Sequence, residues 1–369
     1  MQNDEDGNGS VPVAFGSAGE PGLPEAVLER IRSYERASRA PATQRSYRQA
    51  ALLFDAWCSL HGHSPMPAAA STVKAFVTEM AATGPDYRVL PTQGGRTMDR
   101  LRAKGAEPRP LKPASIAKLV SAIAFAHRQA GHTFDRQAVE TGLGGIRRTH
   151  GVSPRQMKAI ALGELQRIVN ALPMSLQGIR DRALLLIGWT AALRRSELVG
   201  LDIGKRADGT GHVVLQNEGL RLTIHRSKTD QEGRGFVKAV PLDRDQGAIA
   251  ALEAWLTAAE IKDGPVFRPI HKSGAIGKTR LTDRSVADIV KRAVRADALR
   301  AGLGKAEAGL RAQAVAGHSL RSGFATSAAA SDVTGENIAR HVGWTSTQMA
   351  VRYIREADLF RNNALHKIK

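Results

Sequence analysis

The second half of this sequence holds residue types suited to breaking a phosphodiester without a metal or a nucleotide. That chemistry needs a nucleophile, cations for the charge of a pentacoordinate phosphorane, and an acid for the departing 5′ oxygen. Tyr353, in QMAVRYI, can be the nucleophile. Arg194 opens RRSEL directly behind the apolar run Ala183 to Leu193, and Arg321 follows His318 by three residues at a helix start. Lys228 sits at a hairpin between strand patterns, and Trp344 precedes Tyr353 by nine residues. Taken alone, each residue has a plainer reading. A tyrosine at helical spacing with Met349, Ala350 and Ile354 is usually core or surface, and Trp344 can be a packed anchor.

Composition narrows what these residues act on. The chain has 369 residues, enough for two domains and a tail, and a formal charge of +18. Residues 1–22 contain four acids and no Lys or Arg, so the rest is more basic still. A polyanion is the natural partner, because each neutralised phosphate releases counterions; a basic ribosomal or chromatin protein would share that signal. The longest apolar run is too short to span a bilayer. No basic, apolar-cored signal opens the sequence, so a cytoplasmic, nucleoid-associated location is expected. Cys58 has no partner for a disulfide, and no Cys/His cluster has zinc spacing, so no metal is expected.

The elements that must position these residues follow from periodicity. Residues 1–22 read as a disordered leader. Residues 23–148 read as a helical domain. In it, Tyr47, Ala50, Ala51, Phe54, Trp57 and Cys58 share one helix face, with Arg45 and Arg48 beside it. A second helix is predicted from Thr72 to Ala82 and a third from Pro113 to Ala130, where Ile116, Leu119, Val120, Ile123 and His127 recur. His127 reads as packing or phosphate contact. Residues 84–112 read as a basic loop with at most one short helix, around Thr97 to Ala103. A linker is expected over 149–160 and a second domain over 161–369. Its helices at Gly163 to Leu172 and Gln177 to Leu193 precede strands at His212 to Gln216, Leu220 to Arg226 and Gly235 to Pro241. A tail helix is expected over about 356–369, with Leu359, Phe360, Ala364, Leu365 and Ile368 as its apolar stripe. The predicted fold class is mainly α with a small antiparallel β-sheet: an all-α N-terminal domain, then an α/β domain.

The strings AALRRSELVGL, HRSKTD, AGHSLRSGFAT and HVGWTSTQMAVRYI resemble, in order and spacing, the signature boxes of the tyrosine recombinase, or phage integrase, family. Gly343-Trp344 and the Tyr-Ile-Arg ending resemble its Cre-like branch, many other members having histidine at the tryptophan position. The segments ATQRSYRQAALLFDAWC and PASIAKLVSAIAFAHRQAG resemble the family's helical core-binding (SAM-like) domain. Residues 84–112 are longer than the family pattern leads one to expect.

The resemblance implies a site-specific recombinase that cuts and rejoins DNA through a 3′-phosphotyrosine and a Holliday junction. It implies a homotetramer on double-stranded DNA with inverted-repeat half-sites, and no cofactor. Arg194 and Arg321 would hold the phosphate oxygens, a task for the guanidinium fork. Arg195 competes with Arg194, but the family box sets the catalytic arginine three residues before its glutamate, Glu197, here read as an orienting residue. His318 would donate to the phosphate or help take the tyrosine proton, and Trp344 would donate an indole N–H. Lys228 would be the general acid, with Lys238 on the next strand as its rival. Arg45, Arg48, Lys118, Arg128, Lys272, Arg280 and Arg284 are the candidate DNA contacts. A type IB topoisomerase, a telomere resolvase and a catalytically silent DNA-binding protein are the competing readings.

Overall fold

The computed structural model describes residues 24–369 apart from 38, 93–94, 101–106, 152–155, 205–209, 226–229, 231–232, 362–364 and 366–369. The leader and Lys228 therefore lie outside the described residues, as do Ala364 and Ile368 of the tail stripe. The chain divides into two compact units, Met1–Ser153 and Pro154–Lys369.

The first unit contains α1 (Glu25–Ala37), α2 (Pro41–His61), α3 (Ala70–Ala82), β1 (Tyr87–Thr92), β2 (Gly95–Arg100), α4 (Pro113–Gln129) and α5 (Arg136–His150). Proline in the first turn suits the starts of α2 and α4, where an N–H would lack an intrahelical partner. The predicted stripe of α2 is buried at Ala50, Phe54, Trp57 and Cys58. It meets Val73, Phe76 and Met80 of α3 and Ile116, Val120 and Ile123 of α4. His127 is fully buried: its Nε2 accepts from the Ala68 amide at 2.8 Å and its Nδ1 donates to the Ile123 carbonyl at 2.9 Å. It is a packing residue. The stretch expected to be a loop with a short helix is instead an antiparallel hairpin, β1 on β2 from Tyr87↔Arg100 to Thr92↔Gly95. The unit is thus helical with one added hairpin.

The second unit contains α6 (Leu162–Asn170), α7 (Leu176–Thr190), α8 (Arg195–Val199), β3 (Leu201–Ile203), β4 (Gly211–Gln216), β5 (Gly219–Ile224), β6 (Phe236–Pro241), α9 (Ala248–Ala258), β7 (Gly264–Pro265), α10 (Asp283–Arg300), α11 (Lys305–Gln313), α12 (His318–Ala330), α13 (Gly335–Val342) and α14 (Gln348–Arg361). The five-stranded sheet runs β6-β5-β4-β3-β7 and is mixed, because β3 and β4 are parallel. The other pairings are antiparallel, as expected.

Helix α7 is apolar nearly all round and lies in the core with Leu222 and Ile224 of the sheet, Trp255 of α9 and Val286 and Ile289 of α10. Its charged start is buried too. Asp181 accepts from Arg180 and from Arg292 of α10, both at 2.7 Å, and Arg180 also donates to the Arg268 carbonyl. Residues 158–160, inside the expected linker, pack on this unit: the Lys158 and Ile160 amides donate to the carbonyls of Ala314 and Ser319. Among the described residues no separate tail helix begins near 356, for α14 runs unbroken from Gln348 past Tyr353 to Arg361.

Candidate active site

The site begins where α7 ends. The Leu193 amide donates to the Gly188 carbonyl and the Ala192 amide to the Trp189 carbonyl, the paired bonds that close a helix with a left-handed residue. That residue is Ala192, with φ of 48°. Glycine would relieve about 1 kcal/mol of steric strain, but the Ala192 methyl is fully buried against Ala325, Ala329, Ala339 and Ala350.

The turn delivers Arg194 to the start of α8. Glu197 receives the Arg194 amide at 2.8 Å on one oxygen and the Arg194 Nη1 at 2.6 Å on the other. Glu197 is 1% exposed. Arg321, on α12 and also 1% exposed, comes within 3.9 Å of the same carboxylate. Its Nη1 donates to the Ala192 carbonyl at 2.7 Å, and its buried Nη2 has no hydrogen-bond partner among the described residues. Burial first, and then the Arg194 charge, pull the Arg321 pKa to about 10, which leaves it cationic at neutral pH.

Two glycines let α12 come this close. A Cβ on Gly317 would lie 2.4 Å from Cδ of Arg195, and one on Gly323 would lie 1.9 Å from the Ile160 carbonyl oxygen. Arg195 lays its stem over Gly317 and turns its guanidinium toward Asp283, 3.7 Å away at the surface. Arg194 alone of the two joins Glu197 and Arg321. His318 opens α12. Desolvation, followed by the positive charges of Arg321, Arg194 and Arg195, holds its pKa below the usual imidazole value. Because the residue remains exposed, the three charges are the firmer cause.

Helix α13 ends at Gly343, whose φ of 77° turns the chain so that Trp344 lies beside Arg321, the guanidinium carbon 5.9 Å from the indole centroid. The Tyr353 ring stacks on Trp344 at 5.5 Å and 15°. Ala350, Ile354 and Ala357 seat that face of α14 on α12 and α13. Burial raises the Tyr353 pKa above its ordinary value, with Glu356 adding and Arg352 and Arg321 opposing.

Arg194, Glu197, Arg321, Trp344 and Tyr353 thus form one chain of contacts, with His318 within reach of its charges. Lys238 also lies here, buried and bonded to backbone carbonyls. In the sequence it stands only as a rival acid, yet a charged residue on the inward face of an alternating strand is a visible signal. Of the candidate DNA contacts, Arg45, Arg48, Lys118, Arg128, Lys272 and Arg284 are exposed. Arg280 donates to buried Asp202 at 2.7 Å, an ion pair internal to the unit.

A mixed-sheet helical unit here gathers a half-buried arginine, a buried arginine, a tryptophan and a tyrosine near one carboxylate, an arrangement suited to holding a phosphate. Residues 158–359 match the model of the phage integrase family, and the chain belongs to that family. It is 31% identical over 339 residues to an integrase/recombinase xerD homolog of Selenomonas ruminantium, across 90% of this chain and 86% of that protein. To the recombinase cre of Escherichia phage P1 it is 24% identical, across 82% and 80%. Cre is the more distant of these two relatives, which corrects the placement suggested by Trp344. A lambda integrase dimer bound to a COC′ core site aligns with a TM-score of 0.49 and 16% identity, across 90% of this chain and 95% of that one. Among the described residues no helix is long and apolar enough to cross a membrane.

Proposed function

We propose that this tyrosine recombinase is a site-specific DNA recombinase whose Tyr353 breaks and rejoins strands through a 3′-phosphotyrosine. The observation that carries the reading is the buried Nη2 of Arg321. It is a charged donor without a partner among the described residues, beside Arg194 and next to a tryptophan that stacks on a tyrosine. Leaving such a donor unpaired costs about 1 to 3 kcal/mol or more, and a phosphate oxygen would offset that.

In this mechanism the Tyr353 oxygen attacks the scissile phosphorus and the bond to the 5′ oxygen breaks. Arg194 and Arg321 hold the non-bridging oxygens, with the Trp344 indole N–H as a further donor. The phenolic proton passes to His318, whose lowered pKa leaves it neutral and able to accept. Lys228 gives its proton to the departing oxygen. Glu197 orients both guanidiniums rather than meeting the phosphate, which would repel it. Attack of another strand's 5′ hydroxyl reverses each step, so the bond energy is kept and no cofactor is consumed.

The first unit serves as the core-binding domain, with Arg45, Arg48, Lys118 and Arg128 on DNA, and the second as the catalytic domain, with Lys272 and Arg284 adding contacts. Exchange proceeds through a Holliday junction in a homotetramer on inverted-repeat half-sites, in the cytoplasm, with the C-terminal tail reaching the neighbouring protomer. The test is a pool of nicked duplexes of random sequence, incubated with enzyme in EDTA and selected for DNA held covalently after SDS. Wild type should enrich particular duplexes, and Tyr353→Phe should bind them equally and trap none. A pool that yields no covalent DNA, or an adduct that survives the Phe substitution, refutes the reading.

A further inference from the structure

Another buried cation adjoins the site and has no part in the chemistry above. Strand β6 turns Lys238 and Val240 inward and Val237 and Ala239 outward, which leaves Lys238 only 5% exposed. Its ammonium donates to three carbonyls: Ala191 at 2.7 Å, His341 at 2.6 Å and Val342 at 3.1 Å. An ammonium has three N–H donors and no acceptor, so every donor is in use. These carbonyls end α7 and α13, where the helix dipole concentrates negative charge.

The residues next along the chain from these carbonyls give the contact its meaning. Ala191 precedes Ala192, whose carbonyl holds Arg321, and the same turn delivers Arg194. Val342 precedes Gly343 and Trp344. A single nitrogen therefore joins the turn that places one arginine to the turn that places the tryptophan. His341 adds a parallel tie, its Nε2–H donating to the Thr190 carbonyl at 2.7 Å while its ring stacks on Phe324.

We propose that Lys238 is a positioning residue for strand cleavage: its ammonium clamps the Arg194 turn to the Trp344 turn so that both address one phosphate. Burial, followed by the Arg321 charge, brings its pKa to about 7, a value that would suit a general acid. The acid role fails on geometry, because all three protons point at backbone carbonyls. The kinetic side of the inference rests on the recombinase reading; the structural side stands without it.

Lys238→Met keeps the stem and removes the donors, and Lys238→Arg keeps a cation. Amide hydrogen exchange reads the clamp directly. In the Met variant, the Leu193 and Trp344 amides, which donate to Gly188 and Ala339, should both exchange roughly tenfold faster, with α3 unchanged. On a duplex selected as above, cleavage should fall by about 100-fold at unchanged DNA affinity, and a 5′-bridging sulfur should not restore it. Unchanged exchange at either turn, an unchanged cleavage rate, or restoration by sulfur would each overturn the proposal. Should the Met variant fail to fold, the Arg variant decides. Arginine is a poor acid, so sulfur rescue would reveal a lost acid, whereas an unrescued defect with faster exchange at both turns upholds the clamp. If wild type traps no DNA, the recombinase reading falls while the exchange comparison still judges the clamp.

Discussion

The guanidinium of Arg321 is fastened to the carbonyl of Ala192 at 2.7 Å, across 129 residues of chain. One of its two terminal nitrogens thus builds the protein, and the other, Nη2, has no partner among the described residues. A lysine has only a single nitrogen to divide between these tasks. Arg321→Lys should lower adduct formation by about 100- to 1,000-fold, the loss seen when one preorganised donor to a developing oxyanion is removed. DNA affinity should change by much less. Single-turnover cleavage beside a gel-shift titration checks the split, and equal losses in both would assign Arg321 to binding alone.

Lys228 is separable from the arginines by the leaving group. Sulfur in place of the 5′ bridging oxygen departs with little need of a proton, so Lys228→Ala should recover most of its rate on that substrate. Arg194→Ala and Arg321→Ala should not, since their charge is needed whichever atom leaves. Equal recovery in all three variants would remove Lys228 from the acid role.

Burial raises the Tyr353 pKa, so the free enzyme should hold this phenol protonated above pH 10, the ordinary tyrosine value. The wild-type minus Tyr353→Phe difference in phenolate absorbance isolates it from the other three tyrosines. Above the unfolded pKa the unfolded chain has lost a proton the native state retains, so this group's contribution to stability falls as pH rises through that window. An ionisation at or below the ordinary value would instead show a phenol activated before DNA arrives.

Asp181 accepts hydrogen bonds from two arginines and its side chain is 3% exposed. Asp181→Asn removes the one carboxylate that both Arg180 and Arg292 engage, and breaking a buried pair costs about 3 to 5 kcal/mol. Thermal unfolding of the second unit should shift down accordingly. A shift within experimental scatter would show that solvent or a rearranged side chain compensates for the lost charge.

How much was legible from the residues depended on the range of the interaction. The stripes of α2 and α4, the apolar run of α7 and the strand patterns of β4 to β6 are local, so they could be read directly. Strands β3 and β7 are three and two residues long, too short to show a period. The hairpin of β1 and β2 was obscured by Pro91 and Gly95, which in sequence resemble a loop. Within the site, motif spacing separated Arg194 from Arg195 by its distance to Glu197. Nothing local could show that Arg321 divides its guanidinium between the Ala192 carbonyl and an unfilled direction, or that Lys238 joins two helix ends. By itself the sequence determined the residue types, their order and the helices and strands that carry them, because propensity and burial pattern act over a few residues. The tertiary structure decided which donors the backbone occupies and which remain available, because carbonyls more than a hundred residues apart meet only once the core is packed.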